Sequence, residues 1–240
     1  MDFKSHKAVI VLADIGGYTR FIKFHSMALV HAEKIITDLL ETVIDAAEYP
    51  LTLNKLEGDA AMFYALADSD ATGVVQSALR QVSGFFAAFA AKQASLMGVT
   101  LCTCSACQGI GDLRVKAIVH FGEIVLKQVR TFEELAGETV IVAHRLLKNS
   151  VAKDQYILVT EAVERLSGGL LGTGTPAVEP CEGIGEVSTV SYDPPTTPLP
   201  SVVRASWLAK GFQLMRLQAH LMAKRMRIGT SQRFPKLAGL

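Results

Sequence analysis

Two carboxylates in this 240-residue chain are spaced for chemistry at phosphorus. Asp14 follows a β-branched apolar run, Lys7 to Ala13, that reads as a buried strand, and Gly16-Gly17 then turns the chain into Tyr18-Thr19. Asp59 stands in Glu57-Gly58-Asp59, between the strand-like runs Leu51 to Leu56 and Ala60 to Leu66. Gly and Asp tolerate turn dihedrals, so this is a hairpin signal. If the strands are neighbours, the two acids converge beside a glycine turn whose amides can approach phosphate closely, with Gly16, Gly17 and Thr19 as the substrate contacts. Such a pair can hold two Mg²⁺ ions for an in-line displacement. Read one at a time, either Asp is ordinary turn chemistry.

A second group is Cys102-Thr103-Cys104-Ser105-Ala106-Cys107. Thiolate is the preferred soft ligand of zinc, so Cys102, Cys104 and Cys107 form a candidate site. A structural site needs four ligands, and Cys181 or a histidine could supply the last. The alternative is a loop of reduced or redox-labile thiols. His120, beside Phe121-Gly122, reads as structural rather than catalytic.

Positioning these groups takes a mixed sheet. A helical period runs from Ser26 to Glu48 and Pro50 closes it; a long helix follows from about Asp70 to Gln93. Leu113 to His120 and Glu123 to Val129 read as a hairpin around Phe121-Gly122, then Gly137 to Asn149 as helix, with strands at Gln155 to Val159 and Glu186 to Tyr192. The order β-α-β-β-α-β-β-α-β predicts an α/β (α+β) domain, a ferredoxin-like, mainly antiparallel sheet flanked by helices. Half the residues are hydrophobic and 20% are charged, which suits a globular core and argues against disorder or repeats. No apolar stretch reaches the length of a membrane span, the N-terminal run is too short for a secretory signal, and the cysteine count fits a reducing compartment. A cytoplasmic location is the expectation.

The motifs also have an order. Val11-Leu12-Ala13-Asp14-Ile15-Gly16-Gly17-Tyr18-Thr19 resembles the opening motif of the class III adenylate and guanylate cyclases, and Lys55-Leu56-Glu57-Gly58-Asp59-Ala60-Ala61-Met62 resembles their second. His120-Phe121-Gly122-Glu123 is similar to their His-x-Gly-Glu segment, Gly137 to Leu146 to their Gly-x-x-Val-Asn-x-Ala-x-Arg helix, and Gly183-Ile184-Gly185 to the glycine pair before their last strand. Together these cover about 190 residues in one order. The Cys-rich insert makes the chain look closer to cyclase-like bacterial members of unknown function.

The resemblance implies a nucleotidyl cyclase-like fold and roles residue by residue. Asp14 and Asp59 become ligands of Mg²⁺ or Mn²⁺. Lys55 and Glu134 become the contacts to a purine, and Arg145 the cation that stabilises charge on the α-phosphate. The site of such enzymes lies between two subunits, so a homodimer and a purine nucleoside triphosphate are the expected partners. Two departures stand out. Ile141 occupies the position of the ribose-orienting asparagine, and Glu182 and Ile184 flank Gly183 where a phosphate-binding lysine is expected. Losing one positioned polar group at a transition state costs on the order of 10²–10³ in rate. Slow formation of a 3′,5′-cyclic nucleotide, or a catalytically silent nucleotide-sensing module, are the two readings that follow.

Charge divides the chain. Eight of its 24 basic and none of its 23 acidic residues lie after Asp193, so a body of net −7 precedes a tail of net +8. Residues 1–193 read as the cyclase-like domain with a Cys-rich insert near 95–112, residues 194–200 as a Pro-rich linker, and 201–240 as a basic amphipathic helical tail. The tail suits packing on its own domain or dimer mate, an autoinhibitory or structural strap, or peripheral contact with an anionic membrane through Trp207. Its dispersed basic residues do not suggest a nucleic-acid partner.

Overall fold

The computed structural model describes residues 4–24, 29–99 and 104–195. The linker from residue 196 and the basic tail lie outside the described residues, as does Cys102. The elements run β1 (Ser5–Gly16), α1 (Tyr18–Phe24), α2 (Leu29–Asp45), β2 (Thr52–Glu57), β3 (Ala60–Leu66), α3 (Ala71–Val99) and α4 (Ser105–Gln108). A 3-10 turn (Gly109–Asp112) follows, then β4 (Arg114–Val129), β5 (Phe132–Ala136), α5 (Glu138–Arg145), β6 (Ile157–Thr160), α6 (Glu161–Ser167), β7 (Thr175–Cys181) and β8 (Gly185–Tyr192).

The strands form one sheet in the order β2-β3-β1-β4-β6-β8-β7, with β5 paired to β4 outside that path. Among the described residues only β4 and β6 run parallel; the other pairs are antiparallel. The four strands β2-β3-β1-β4, joined through α2 and α3, make the expected ferredoxin-like unit, and the mixed, mainly antiparallel sheet is as the sequence implies. β1 is its centre, which explains an apolar run without polar alternation: both faces are covered. Val9, Val11, Ala13 and Ile15 enter a core with α2, α3 and α6. Ala8, Ile10 and Leu12 enter a second core with Val140, Val142 and Ala143 of α5 and Leu146 just beyond it. Phe85 of α3 meets Phe63 of β3 with ring centroids 5.5 Å apart, fixing the helix on the sheet. Among the described residues no helix is long and apolar enough to cross a membrane.

One expected hairpin is absent. Phe121 and Gly122 do not turn; they pair with Val9 and Ala8 inside a continuous 16-residue β4. Gly122 serves instead for close approach, since a Cβ there would lie 2.5 Å from Thr139 Oγ1, and that hydroxyl donates to Glu123 O at 2.6 Å. The true turn lies eight residues on, where Arg130 takes a φ of 57° between β4 and β5. Strand β7 escapes sequence reading because Pro176 and Pro180 interrupt it. At the sheet edge a proline forfeits no ladder bond on its open side, so the strand survives.

Candidate functional site

Asp14 lies two residues beyond Leu12 on β1, so side-chain alternation turns it to the α5 face. Its direct partner across the ladder is Lys116 of β4, and Lys116 Nζ stands 2.9 Å from Asp14 Oδ2. The ammonium also donates to Leu147 O at 3.3 Å, just beyond α5. Asp59 is brought in by its backbone: its carbonyl accepts from Ile15 N at 3.2 Å, tying the β2–β3 turn to the end of β1. The turn needs Gly58 at φ 65°. The Asp14 carboxyl lies close enough to act on that of Asp59. Burial, and then the charge of Asp14, push Asp59 up to about 7, while Lys116 pulls the other way. For Lys116 itself burial favours the neutral amine. The hydrogen bond and charge of Asp14 outweigh that and hold the ammonium above its ordinary range.

The two acids expected to converge therefore do so. Two carboxyl groups with one ammonium, held against Asp14, are short of positive charge, and their oxygens are the donors a hard divalent cation takes. The residues fit Mg²⁺ or Mn²⁺. Gly17 turns the chain at φ 91° directly beyond. Tyr18, raised by burial and by Glu33, feels the Asp59 charge as well. Thr19 is exposed on α1.

Lys55 and Glu134, 79 residues apart, meet at 3.2 Å because the β4–β5 hairpin reaches β2. Glu57 joins them at 3.4 Å from Lys55 and also lies 3.1 Å from His144 Nδ1 on α5. Tyr64 OH donates to Glu133 Oε1 at 2.6 Å beside this group. These ion pairs are about one-third exposed, a setting in which a pair is worth about 0–1 kcal/mol, so the groups are held in place yet open to exchange partners. Arg145 is half exposed and lies 3.1 Å from Glu182. Ile141, one turn earlier on α5, is 49% exposed. No hydrogen bond or ion pair among the described residues joins Arg145 to Asp14 or Asp59.

Sequence reading missed Lys116, Glu57, His144 and Glu182. Lys116 had a signal: it is the one charge inside Val115-Lys116-Ala117-Ile118-Val119, and a lone cation in a central strand needs an anion on the neighbouring one. Glu182 replaces an expected lysine and is itself the partner of the arginine. His120 Nδ1 lies 2.8 Å from Thr160 Oγ1, and burial lowers the imidazole pKa to about 4. Of the thiols, Cys104 and Cys107 lie together, while Cys181 is buried in the α5 core.

The sequence profile of a family described as "Protein of unknown function (DUF2652)" matches residues 36–156. An uncharacterised protein of Mycobacterium tuberculosis is 35% identical over 171 residues, 70% of this chain and 77% of that protein. Among solved structures, the guanylyl cyclase Cya2 is similar with a TM-score of 0.64 at 15% identity, over 82% of this chain and 97% of that one. The adenylyl cyclase CyaB of P. aeruginosa gives 0.61 at 15%, over 84% and 100%. The guanylate cyclase domain of RhGC from Catenaria anguillulae, solved with GTP, gives 0.54 at 14%, over 80% and 100%. At these identities the structural likeness speaks for the fold, which is that of the class III cyclase domains. By its profile, which spans half of the chain, the protein belongs to the DUF2652 family of proteins of unknown function, built on the class III nucleotidyl cyclase fold.

Proposed function

We propose that two copies of the chain bind a purine nucleoside triphosphate with Mg²⁺ or Mn²⁺ between them and convert it slowly to a 3′,5′-cyclic nucleotide. The observation that carries this reading is the convergence of Asp14 and Asp59 at the end of β1, with too little positive charge beside them. Asp14 and Asp59 of one copy would hold the metal. Bound there, a divalent ion acidifies the ribose 3′-hydroxyl and neutralises phosphate charge. Lys116 would limit the repulsion between the carboxylates until a metal ion replaces it. The glycine turn at Gly16 and Gly17 lets backbone approach the phosphates without a Cβ in the way.

Lys55 and Glu134 of the other copy offer one donor and one acceptor side by side, the pattern needed to read a purine edge. Arg145 would exchange Glu182 for the α-phosphate, a small loss for a surface pair. Ile141 cannot orient the ribose by a hydrogen bond, which accounts for slow turnover. A second reading, a nucleotide-sensing module without turnover, is favoured by the same two features, Ile141 and the Arg145–Glu182 pair.

The test is calorimetry with 3′-deoxy-ATP and 3′-deoxy-GTP, which cannot cyclise, in the presence and absence of Mn²⁺. Metal-dependent binding by the unmutated chain, lost in Asp14→Asn and Asp59→Asn, supports the reading. Undiminished metal-dependent binding in both variants overturns the assignment of the two acids.

A further inference from the structure

The α3–β4 connection brings together donors of a different chemistry from those at Asp14. His31 lies in the first turn of α2, Cys104 just before α4 and Cys107 within it. Although 73 residues separate them, Cys104 Sγ and His31 Nδ1 are 3.7 Å apart. One ligand atom from each of His31, Cys104 and Cys107 lies within 4.8 Å of the others. All three residues are partly buried, and the two cysteines pack against the main core.

The 3.7 Å separation of Cys104 Sγ and His31 Nδ1 is that of two ligands of one metal ion, and the 4.8 Å limit on the other two pairs leaves room for the same ion. With Zn–S near 2.3 Å and Zn–N near 2.0–2.1 Å, donors at the corners of a tetrahedron lie about 3.5–3.8 Å apart. Two thiolates and an imidazole are soft to borderline donors that select zinc, whereas the all-oxygen pair at Asp14 and Asp59 suits Mg²⁺ or Mn²⁺. The Cys104-x-x-Cys107 spacing lets one turn present both sulfurs.

We infer that His31, Cys104 and Cys107 bind a zinc ion that clamps the α3–β4 connection to α2. A fourth donor, which these three residues do not supply, would complete the tetrahedron. The clamp has a mechanical purpose: α4 has four residues and the 3-10 turn after it another four, too few to hold their shape by backbone bonding alone. Two other ties reach the same segment. Gln93 Nε2, buried on α3, donates to Ile110 O at 2.7 Å and Leu113 O at 2.9 Å. The segment also backs the glycine turn, since a Cβ on Gly17 would meet Asp112 O at 3.8 Å. Zinc would thus steady the support behind Gly16 and Gly17 without touching a nucleotide, and the inference stands whether or not the chain turns one over.

The experiment uses the full chain purified without chelator. Elemental analysis should find about one zinc per chain, kept by an Asp14→Asn/Asp59→Asn double variant and reduced at least about tenfold in Cys104→Ser/Cys107→Ser. Because the cysteine variant could fail to fold, the unmutated chain is also exchanged into Co²⁺, where thiolate ligation produces a charge-transfer band in the near ultraviolet. Cys107→Ser should leave about half its intensity. A His31→Gln variant should shift the visible cobalt bands. Zinc-free protein with no thiolate band overturns the site, as does zinc lost with the two aspartates and kept without the two cysteines.

Discussion

Asp59→Asn removes a charge that the folded chain resists. Folding lifts the Asp59 carboxyl from its ordinary 3.8 to about 7, through burial first and the Asp14 charge second. The folded state therefore holds this proton more tightly than the unfolded one. Its contribution to stability is complete below about pH 4, fades as pH rises, and is gone above about pH 7. At about 1.4 kcal/mol per pH unit the ceiling is about 4 kcal/mol. Asp59 is only partly buried, and solvent screening reduces the effect to roughly 1–2 kcal/mol. Asparagine keeps the shape and never ionises. In buffer free of Mg²⁺ and Mn²⁺, Asp59→Asn should be the more stable chain at pH 8 by that amount, or roughly 3–6 °C in Tm, and should lose the advantage near pH 4. Added Mn²⁺ should then raise the Tm of the unmutated chain and not that of the variant. Thermal unfolding monitored by circular dichroism at both pH values, with and without Mn²⁺, reads all of this. A Tm offset that is the same at pH 4 and pH 8, or a variant less stable at pH 8, would refute the reasoning.

Three more outcomes follow from the same geometry. Lys116→Met should tighten Mn²⁺ binding by about tenfold, because the ammonium 2.9 Å from Asp14 repels an incoming cation; calorimetry showing weaker binding would mean that Lys116 is needed to shape the site. Ile141→Asn should raise kcat for cyclic product, since it restores a hydrogen-bonding side chain on the exposed face of α5 that carries Arg145; a fall in rate would mean that the site is built around the alkyl group. Gly122→Ala should cost about 1–3 kcal/mol in urea unfolding, because the new methyl meets Thr139, whose hydroxyl is committed to Glu123 O; an unchanged midpoint would contradict the close approach.

The sequence made some of this legible for local reasons. Strand β3 and the acid-bearing turn before it were readable because an apolar run, a Gly-Asp turn and a second run leave one arrangement open. The convergence of Asp14 and Asp59 was readable because it needs only that β1 and β3 be neighbours. Gly122 misled because a glycine kept for close packing looks the same as a glycine kept for a turn; the sequence shows the residue type and not the Thr139 that presses on it. Lys116 and Glu182 went unread for a related reason. Each is defined by a partner on another element, Asp14 across the ladder and Arg145 on α5, and pairing register is a tertiary property. The thiols were visible as a group, while His31, 73 residues before Cys104, was one of several histidines that could have joined them.

The central claim is a site shared by two copies, and mixing two inactive variants tests it most directly. Asp14→Asn loses the metal side of the site and Arg145→Ala loses the phosphate side. Each alone, incubated with Mn²⁺ and either ATP or GTP, should form no cyclic product by mass spectrometry. If subunits exchange freely, half the dimers in an equimolar mixture are mixed and each has one intact site, so the mixture should recover about a quarter of the unmutated rate. Product from either variant alone, or none from the mixture while the unmutated chain is active, would contradict a site built from Asp14 and Asp59 of one copy and Arg145 of the other.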